Sequence, residues 1–381
     1  MTRPGQLRQP WLHSARFDSA FILGPALLVT AAVLMFSDAV QRLDTVPPWL
    51  WVALIVGVDV SHVYSSLYRT YFDSVEFRAR QTLYTAVPAI ALLTGVVLYS
   101  LDSGLFWRVL TYLAVFHFVR QQYGFMMMYK RGEPSLGRWQ HRIDQALIYL
   151  APIYPLVYWH CHSREFRWFI DGDFLQIPFA WPSTIVGALY IGALVAYLVK
   201  EIVLFRQTHF FNLPRNGLLL GTALSWYVGI IAFNNDLAFT ATNVIAHGIP
   251  YMALIWLYRR NARDRLESFS QSSWSLLFTP IYLLSIGVVA YVEETLWDGL
   301  VWREHAPVLP LATWLPQVTD ITLLALLVPL LTVPQATHYI LDAYIWRLRT
   351  PGSNWKAILF RNDAPSAPNH PVPIRIEQSK I

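Results

Sequence analysis

Long apolar runs, separated by short polar stretches, recur along nearly the whole chain. Ten of them approach or exceed the ~17–25 residues a helix needs to cross a ~30 Å hydrocarbon core: roughly 20–36, 47–68, 82–101, 104–129, 144–159, 183–205, 217–233, 236–258, 274–292 and 320–347. The pattern predicts an all-α membrane protein, a bundle of about ten transmembrane helices in a single polytopic domain over 1–349. After Thr350 the pattern changes. Pro365, Pro368, Pro371 and Pro373 interrupt a polar stretch, which predicts a tail over 350–381 that is largely disordered beyond a short surface piece around Trp355 to Phe360.

Composition agrees with this class, because 55% of the 381 residues are hydrophobic and only 14% are charged, against about 25% charged in ordinary soluble domains. A net charge of +5 raises the question of nucleic acid. The basic residues fall in short clusters between apolar runs, so no nucleic-acid partner is expected. They report topology instead. Arg3, Arg8 and Arg16; Arg69, Arg78 and Arg80; Lys130, Arg131, Arg138 and Arg142; Lys200, Arg206 and Arg215; Arg259, Arg260, Arg263 and Arg265; and Arg347 with Arg349 occupy one set of loops. The alternate loops hold little beyond Arg42, Arg164, Arg167 and Arg303. The positive-inside rule then puts both termini in the cytoplasm. The first apolar run starts late and no small-residue cleavage site follows it, which predicts a retained first helix.

Against this apolar background four segments carry a histidine with a polar partner three or four residues away: Asp59 with His62, His117 with Gln121, Asn243 with His247, and His338 with Asp342. Such pairs share one helix face. An ionisable group inside a span costs about 2.5–3.5 kcal/mol on insertion scales, so four of them point to a site. All four helices run in the same direction in the ten-span topology. Their histidines precede the basic residues Arg69, Lys130, Arg259 and Arg347 by 7, 13, 12 and 9 residues, or about 10–20 Å of helix. They therefore lie in one slab of the membrane.

Neutral imidazole in a low-dielectric interior is a strong ligand for transition metals, and a carboxylate can ligate or orient it. The candidate metal ligands are His62, His117, His247 and His338, with Asp59 and Asp342 as further ligands or as orienters of imidazole. Tyr64, Arg120 and Gln121 are candidate catalytic or substrate-positioning groups, and Gln122, Asn243 and Gln335 would support the ligands. Arg120 could equally serve only as counter-ion to Asp59. Blander readings fit the remaining candidates. His160 and His162 lie in an outer loop, His305 reads as surface, and Met126 to Met128 read as packing. The Trp- and Phe-rich outer loops at about 160–182 and 293–317 read as an interfacial aromatic belt.

Several chemistries lack their usual signatures. There is no Walker A loop, GxGxxG, HExxH or GxSxG, and one cysteine, Cys161, excludes an intramolecular disulfide or a thiolate cluster. Membrane desaturases carry HxxxH or HxxHH pairs, whereas no span here has two histidines.

Through the blocks DVSHVYSSLYRTYFD, FHFVRQQYGF, NVIAHGIPYMALIWLY and ATHYILDAYIW, which begin at residues 59, 116, 243 and 336, the chain resembles a set of bacterial polytopic membrane proteins. That resemblance implies the bacterial inner (cytoplasmic) membrane and no particular activity. In design, though not in alignable motif, the chain is also similar to the bacteriorhodopsin-associated membrane carotene oxygenases. Their family pattern is a non-haem iron held by four intramembrane histidines. Those proteins are shorter and place two histidines on one helix, whereas His62, His117, His247 and His338 stand on four.

The leading expectation is a membrane metal-dependent oxidoreductase or oxygenase, with iron (or manganese or zinc) and a lipid-soluble substrate such as an isoprenoid, a fatty acyl chain or a quinone, reached from the bilayer. A haem protein with paired axial histidines passing electrons to or from quinone is one alternative. A proton- or ion-coupled transporter using Asp59, His62, His338 and Asp342 is another, since Pro250, Pro329 and Pro334 interrupt helices beside these residues.

Overall fold

The computed structural model describes residues 8–43, 45–135, 137–266, 274–346 and 355–360. Among them there is no strand, and 79% of these described residues are helical. The helices that build the fold are, in order, α1 (Ala15–Met35), α2 (Pro48–Tyr68), α3 (Gln81–Leu101), α4 (Ser103–Tyr129), α5 (Arg138–Cys161), α6 (Trp181–Thr208), α7 (Leu213–Trp226), α8 (Asp236–Leu266), α9 (Trp274–Trp297), α10 (Ile321–Leu331), α11 (Val333–Ile345) and α12 (Trp355–Leu359). A single-turn helix, Ser74–Ala79, joins α2 to α3.

All ten apolar runs form helix, the last as the pair α10–α11. Seven of the resulting helices are long and apolar enough to cross a membrane. The remaining three are α4, α5 and α7, which turn several polar residues inward: His117, Gln121 and Gln122 on α4, Asp144 on α5 and Arg215 on α7 are all buried. The outward faces are apolar, with Leu28, Leu93, Leu189, Leu284 and Ile321 each more than half exposed. Apolar surface on this scale marks a lipid-facing exterior, and the multi-pass helical membrane character follows.

Local chemistry fixes the helix ends. Asp102 is the one residue between α3 and α4; it is extended and accepts from the backbone N–H of Leu105. Asn212 caps α7 through the N–H of Arg215, and Asp320 caps α10 through that of Leu323. Each side chain satisfies an N–H that the first helical turn leaves free. The break between α10 and α11 falls at Thr332, two residues before Pro334, which has no N–H to continue the ladder.

His62, His117, His247 and His338 stand on α2, α4, α8 and α11. α2 packs against α8 and α11, and α11 packs against α4. The α2–α8 contact depends on Gly248, where an added Cβ would lie 2.7 Å from Val58 Cγ1 and 3.2 Å from the Val58 carbonyl oxygen. Around this group stand α1, α5, α6 and α7, held partly by a buried ion network. Asp144, Lys200 and Arg215 are each 0% exposed. Asp144 pairs with Lys130, Lys200 and Arg215, while Arg215 also takes Glu133 and Glu201. Three cations thus meet three carboxylates.

Two segments depart from expectation. The chain from Glu293 was expected as outer loop, but α9 continues through Trp297 and a wide final turn reaches Trp302, so Glu293 and Glu294 lie within the helix. The expected surface piece near Trp355 is α12, whose Trp355 and Leu359 are buried against the core. The proline-rich stretch expected over 361–381 lies outside the described residues.

Candidate metal centre

The sequence places each histidine on the inward face of its helix, and packing brings the four together. His62, His117, His247 and His338 are exposed by no more than 2%. One ring nitrogen from each lies within 4.8 Å of the others. His62 and His117 stand face to face across the centre, nearly parallel at 6.5 Å, while His247 and His338 are edge-on to both at 4.6–5.0 Å. Nε2 of His117 lies 3.1 Å from Nε2 of His247 and 3.1 Å from Nε2 of His338.

A ring nitrogen carries either one proton or one lone pair, so His117 Nε2 cannot complete good hydrogen bonds to both neighbours. Both nitrogens of His62, and Nδ1 of His247 and of His338, are buried without a hydrogen-bond partner. Unsatisfied polar atoms in such numbers are costly in an apolar interior. A cation at the centre resolves the conflict, because four lone pairs can share it. Metal–nitrogen bonds of about 2.1 Å in tetrahedral geometry put ligand nitrogens about 3.4 Å apart, close to the 3.1 Å observed for two pairs.

The two aspartates stand behind the rings. Asp342 Oδ2 lies 3.3 Å from Nδ1 of His117, and Asp59 Oδ1 lies 3.7 Å from Nδ1 of His62. Asp342 faces the His117 nitrogen that points away from the centre, the place of a group that orients imidazole. Aromatic rings close the shell. Phe118 stacks on His247 at 3.6 Å, Tyr339 lies tilted over His117 at 5.2 Å, and Tyr251 meets His338 edge-on at 5.0 Å.

The other candidates are spread around this core. Gln121 donates through Nε2 to the His247 carbonyl at 2.9 Å, holding the helix turn that carries that ligand. Asn243 donates to the Phe239 carbonyl, and its buried Oδ1 has no partner. Gln122 accepts from Thr222 at 3.1 Å and ties α4 to α7. Tyr64 and Gln335 both donate to Glu293, as does Trp297 Nε1 at 3.3 Å. Arg120 donates to the Tyr149 hydroxyl and lies over the Tyr123 ring at 5.2 Å, so it faces these tyrosines and is not the counter-ion of Asp59.

Cavities approach the centre from two sides. One, of about 480 Å³, is bordered near the histidines by Asp59, Asn243 and Tyr339, and farther out by Trp168, Trp297 and Glu294. The outer-loop aromatics expected as an interfacial belt are therefore divided. Trp168, Phe169 and Trp302 roof this chamber, while Trp181 and Trp314 are exposed. His305, expected at the surface, stacks on Trp51 at 3.8 Å in the same wall. The second cavity, of about 350 Å³, reaches Tyr251 and Asp342 from the opposite side, among Arg120, Tyr123 and Trp346.

Sequence reasoning missed Glu293, Glu294 and Tyr251. The two glutamates were placed beyond the end of a span. Tyr251 follows His247 by four residues on the same helix face, a spacing that could have marked it. His160 and His162 take no part, since the first pairs with the Tyr112 hydroxyl at 2.8 Å and the second with the Tyr158 carbonyl at 3.0 Å. No family model, curated protein or solved structure matches the chain.

Proposed function

We propose that the chain is a ten-span protein of the bacterial inner membrane, with both termini cytoplasmic, that holds one transition-metal ion between His62, His117, His247 and His338 and uses it to oxidise a lipid-soluble substrate. The observation that carries the metal is the convergence of four buried imidazoles with unsatisfied, mutually opposed nitrogens. Iron or manganese suits the arrangement better than zinc. Zinc is complete with four ligands, whereas oxidation calls for an ion that would keep positions open, and the cavities that reach Asn243 and Tyr339 on one side and Tyr251 and Asp342 on the other would be the approaches to it.

The chain's own residues supply the rest. Asp342 holds the His117 ring with Nε2 toward the ion, and Asp59 supplies a carboxylate 3.7 Å from Nδ1 of His62. Phe118, Tyr339 and Tyr251 keep the shell apolar, which restricts water to the chambers. A haem is a poorer fit, because bis-histidine ligation needs a flat slot for the macrocycle, and here the imidazoles pack against one another at 4.6–5.0 Å.

The test is a comparison of metal-stripped and metal-reloaded protein given isoprenoid, fatty acyl and quinol substrates under air. Metal-dependent oxidised product in one class supports the proposal; no product in any class from fully loaded protein contradicts it.

The opposed cavities also favour a second reading, an ion- or proton-coupled transporter with Asp59, His62, His338 and Asp342 on its path. Uptake into reconstituted vesicles that Asp342→Asn abolishes would support it. A tightly retained metal with no flux would count against it.

A further inference from the structure

The 350 Å³ cavity has features that metal binding alone does not require. Its walls come from α4, α8, α11 and α12. They are mainly aromatic and thioether side chains, including Tyr123, Phe125, Met127, Trp346 and Trp355. Arg120, an exposed residue of α4, stands in this wall. It is three residues from His117, about 4.5 Å along the helix axis, so it shares the depth of the metal centre. Among the described residues no carboxylate pairs with it; its partners are the Tyr149 hydroxyl and the Tyr123 ring. A guanidinium at this depth is expensive without an acceptor, and two phenolic groups leave most of its five N–H donors free.

Gly124 is the second feature. It lies in the middle of α4 and borders the cavity, and a Cβ built on it would meet nothing within 4 Å. Glycine inside a helix costs about 1 kcal/mol relative to alanine. Here no neighbour demands it, so its absent side chain keeps space open. The cavity therefore joins an aromatic slot of ligand size, a free donor array at one wall, and Asp342 and Tyr251 of the metal shell at another.

We propose that this cavity is the binding site of a membrane quinone or quinol. A planar ring would lie among Tyr123, Trp346 and Tyr251, and one ring oxygen would accept from the Arg120 guanidinium. Its isoprenoid tail would run out along the apolar wall past Met127. Aromatic walls favour a flat ring over a saturated acyl chain, and a carbonyl or phenolate oxygen uses the guanidinium without needing a second cation. The inference rests on the metal-centre reading for the use made of the bound ring, though its binding does not.

The test titrates detergent-purified full-length protein with decylubiquinone, following tryptophan quenching, and measures metal content on the same samples. Wild type should bind saturably. Gly124→Leu, which fills the slot, and Arg120→Leu, which removes the donors, should each weaken binding about tenfold or more with metal content unchanged. Arg120→Lys should recover part of the loss. Unaltered quinone affinity in both leucine variants, or none in folded wild type, overturns the inference. Saturable binding of palmitate that Gly124→Leu and Arg120→Leu abolish, where quinone neither binds nor displaces it, also overturns it and assigns the cavity to an anionic acyl chain. Quinone binding as expected in protein that holds no metal would leave this site standing and remove the metal-centre reading alone.

Discussion

Oδ2 of Asp342 lies 3.3 Å from Nδ1 of His117, and both residues are buried. A carboxylate there selects the tautomer with the proton on Nδ1. The lone pair of Nε2 is then turned toward His247 and His338, each 3.1 Å away. One acid–imidazole contact thus sets the ring at the middle of the cluster.

Asp342→Asn should therefore weaken metal binding without abolishing it. Loss of an orienting carboxylate typically costs 10–100-fold in affinity. Competition against a graded series of chelators measures this, and unchanged retention would remove Asp342 from the metal shell.

Metal removal should lower stability. A ligand bound only by the folded chain stabilises it by about 4 kcal/mol at a thousand times its Kd. Chelation should bring the melting temperature of wild type down to that of His247→Ala, and chelator should then leave the variant unchanged. A wild-type melting temperature indifferent to chelator would speak against a bound ion.

Gly248→Val changes no ligand, yet it should impair the centre. The added Cβ would meet Val58 2.7 Å away and force α8 from α2, the helices that carry His247 and His62. Overpacking costs about 1–3 kcal/mol. The expected result is folded protein with reduced metal content, checked by melting and metal analysis together.

Asp144→Ala tests the separate ion network. It leaves Lys200 and Arg215, both 0% exposed, short of a shared carboxylate. Breaking a buried pair on one side costs about 3–5 kcal/mol. Yield and melting temperature should fall steeply, while the protein that does fold should keep its metal. Equal loss of metal and stability would show that the network and the centre are coupled.

The helical membrane class was legible because apolar run length and period are local properties of the chain. The four histidines were legible for a related reason, since an ionisable group stands out in an apolar helix, and a common depth follows from residue counting. Their adjacency was not. It depends on close approaches such as Gly248 against Val58, which no single segment reveals. The role of Arg120 was open for the same reason. Tyr123 stands one turn on along α4, but its hydrogen-bond partner Tyr149 emerges only when α4 and α5 are set side by side. Glu293 escaped notice because a carboxyl group at the end of an apolar run reads as the start of a loop. In three dimensions it is a buried acceptor for Tyr64, Gln335 and Trp297.

The most direct measurement is metal content by mass spectrometry, with an absorption spectrum, on detergent-purified wild type beside His338→Ala and His247→Ala. One iron, manganese or zinc ion per chain in wild type, lost in both variants from helices far apart in sequence, is the predicted result. Well-folded wild type that holds no metal, even after reconstitution with each ion, would contradict a metal centre at these four histidines.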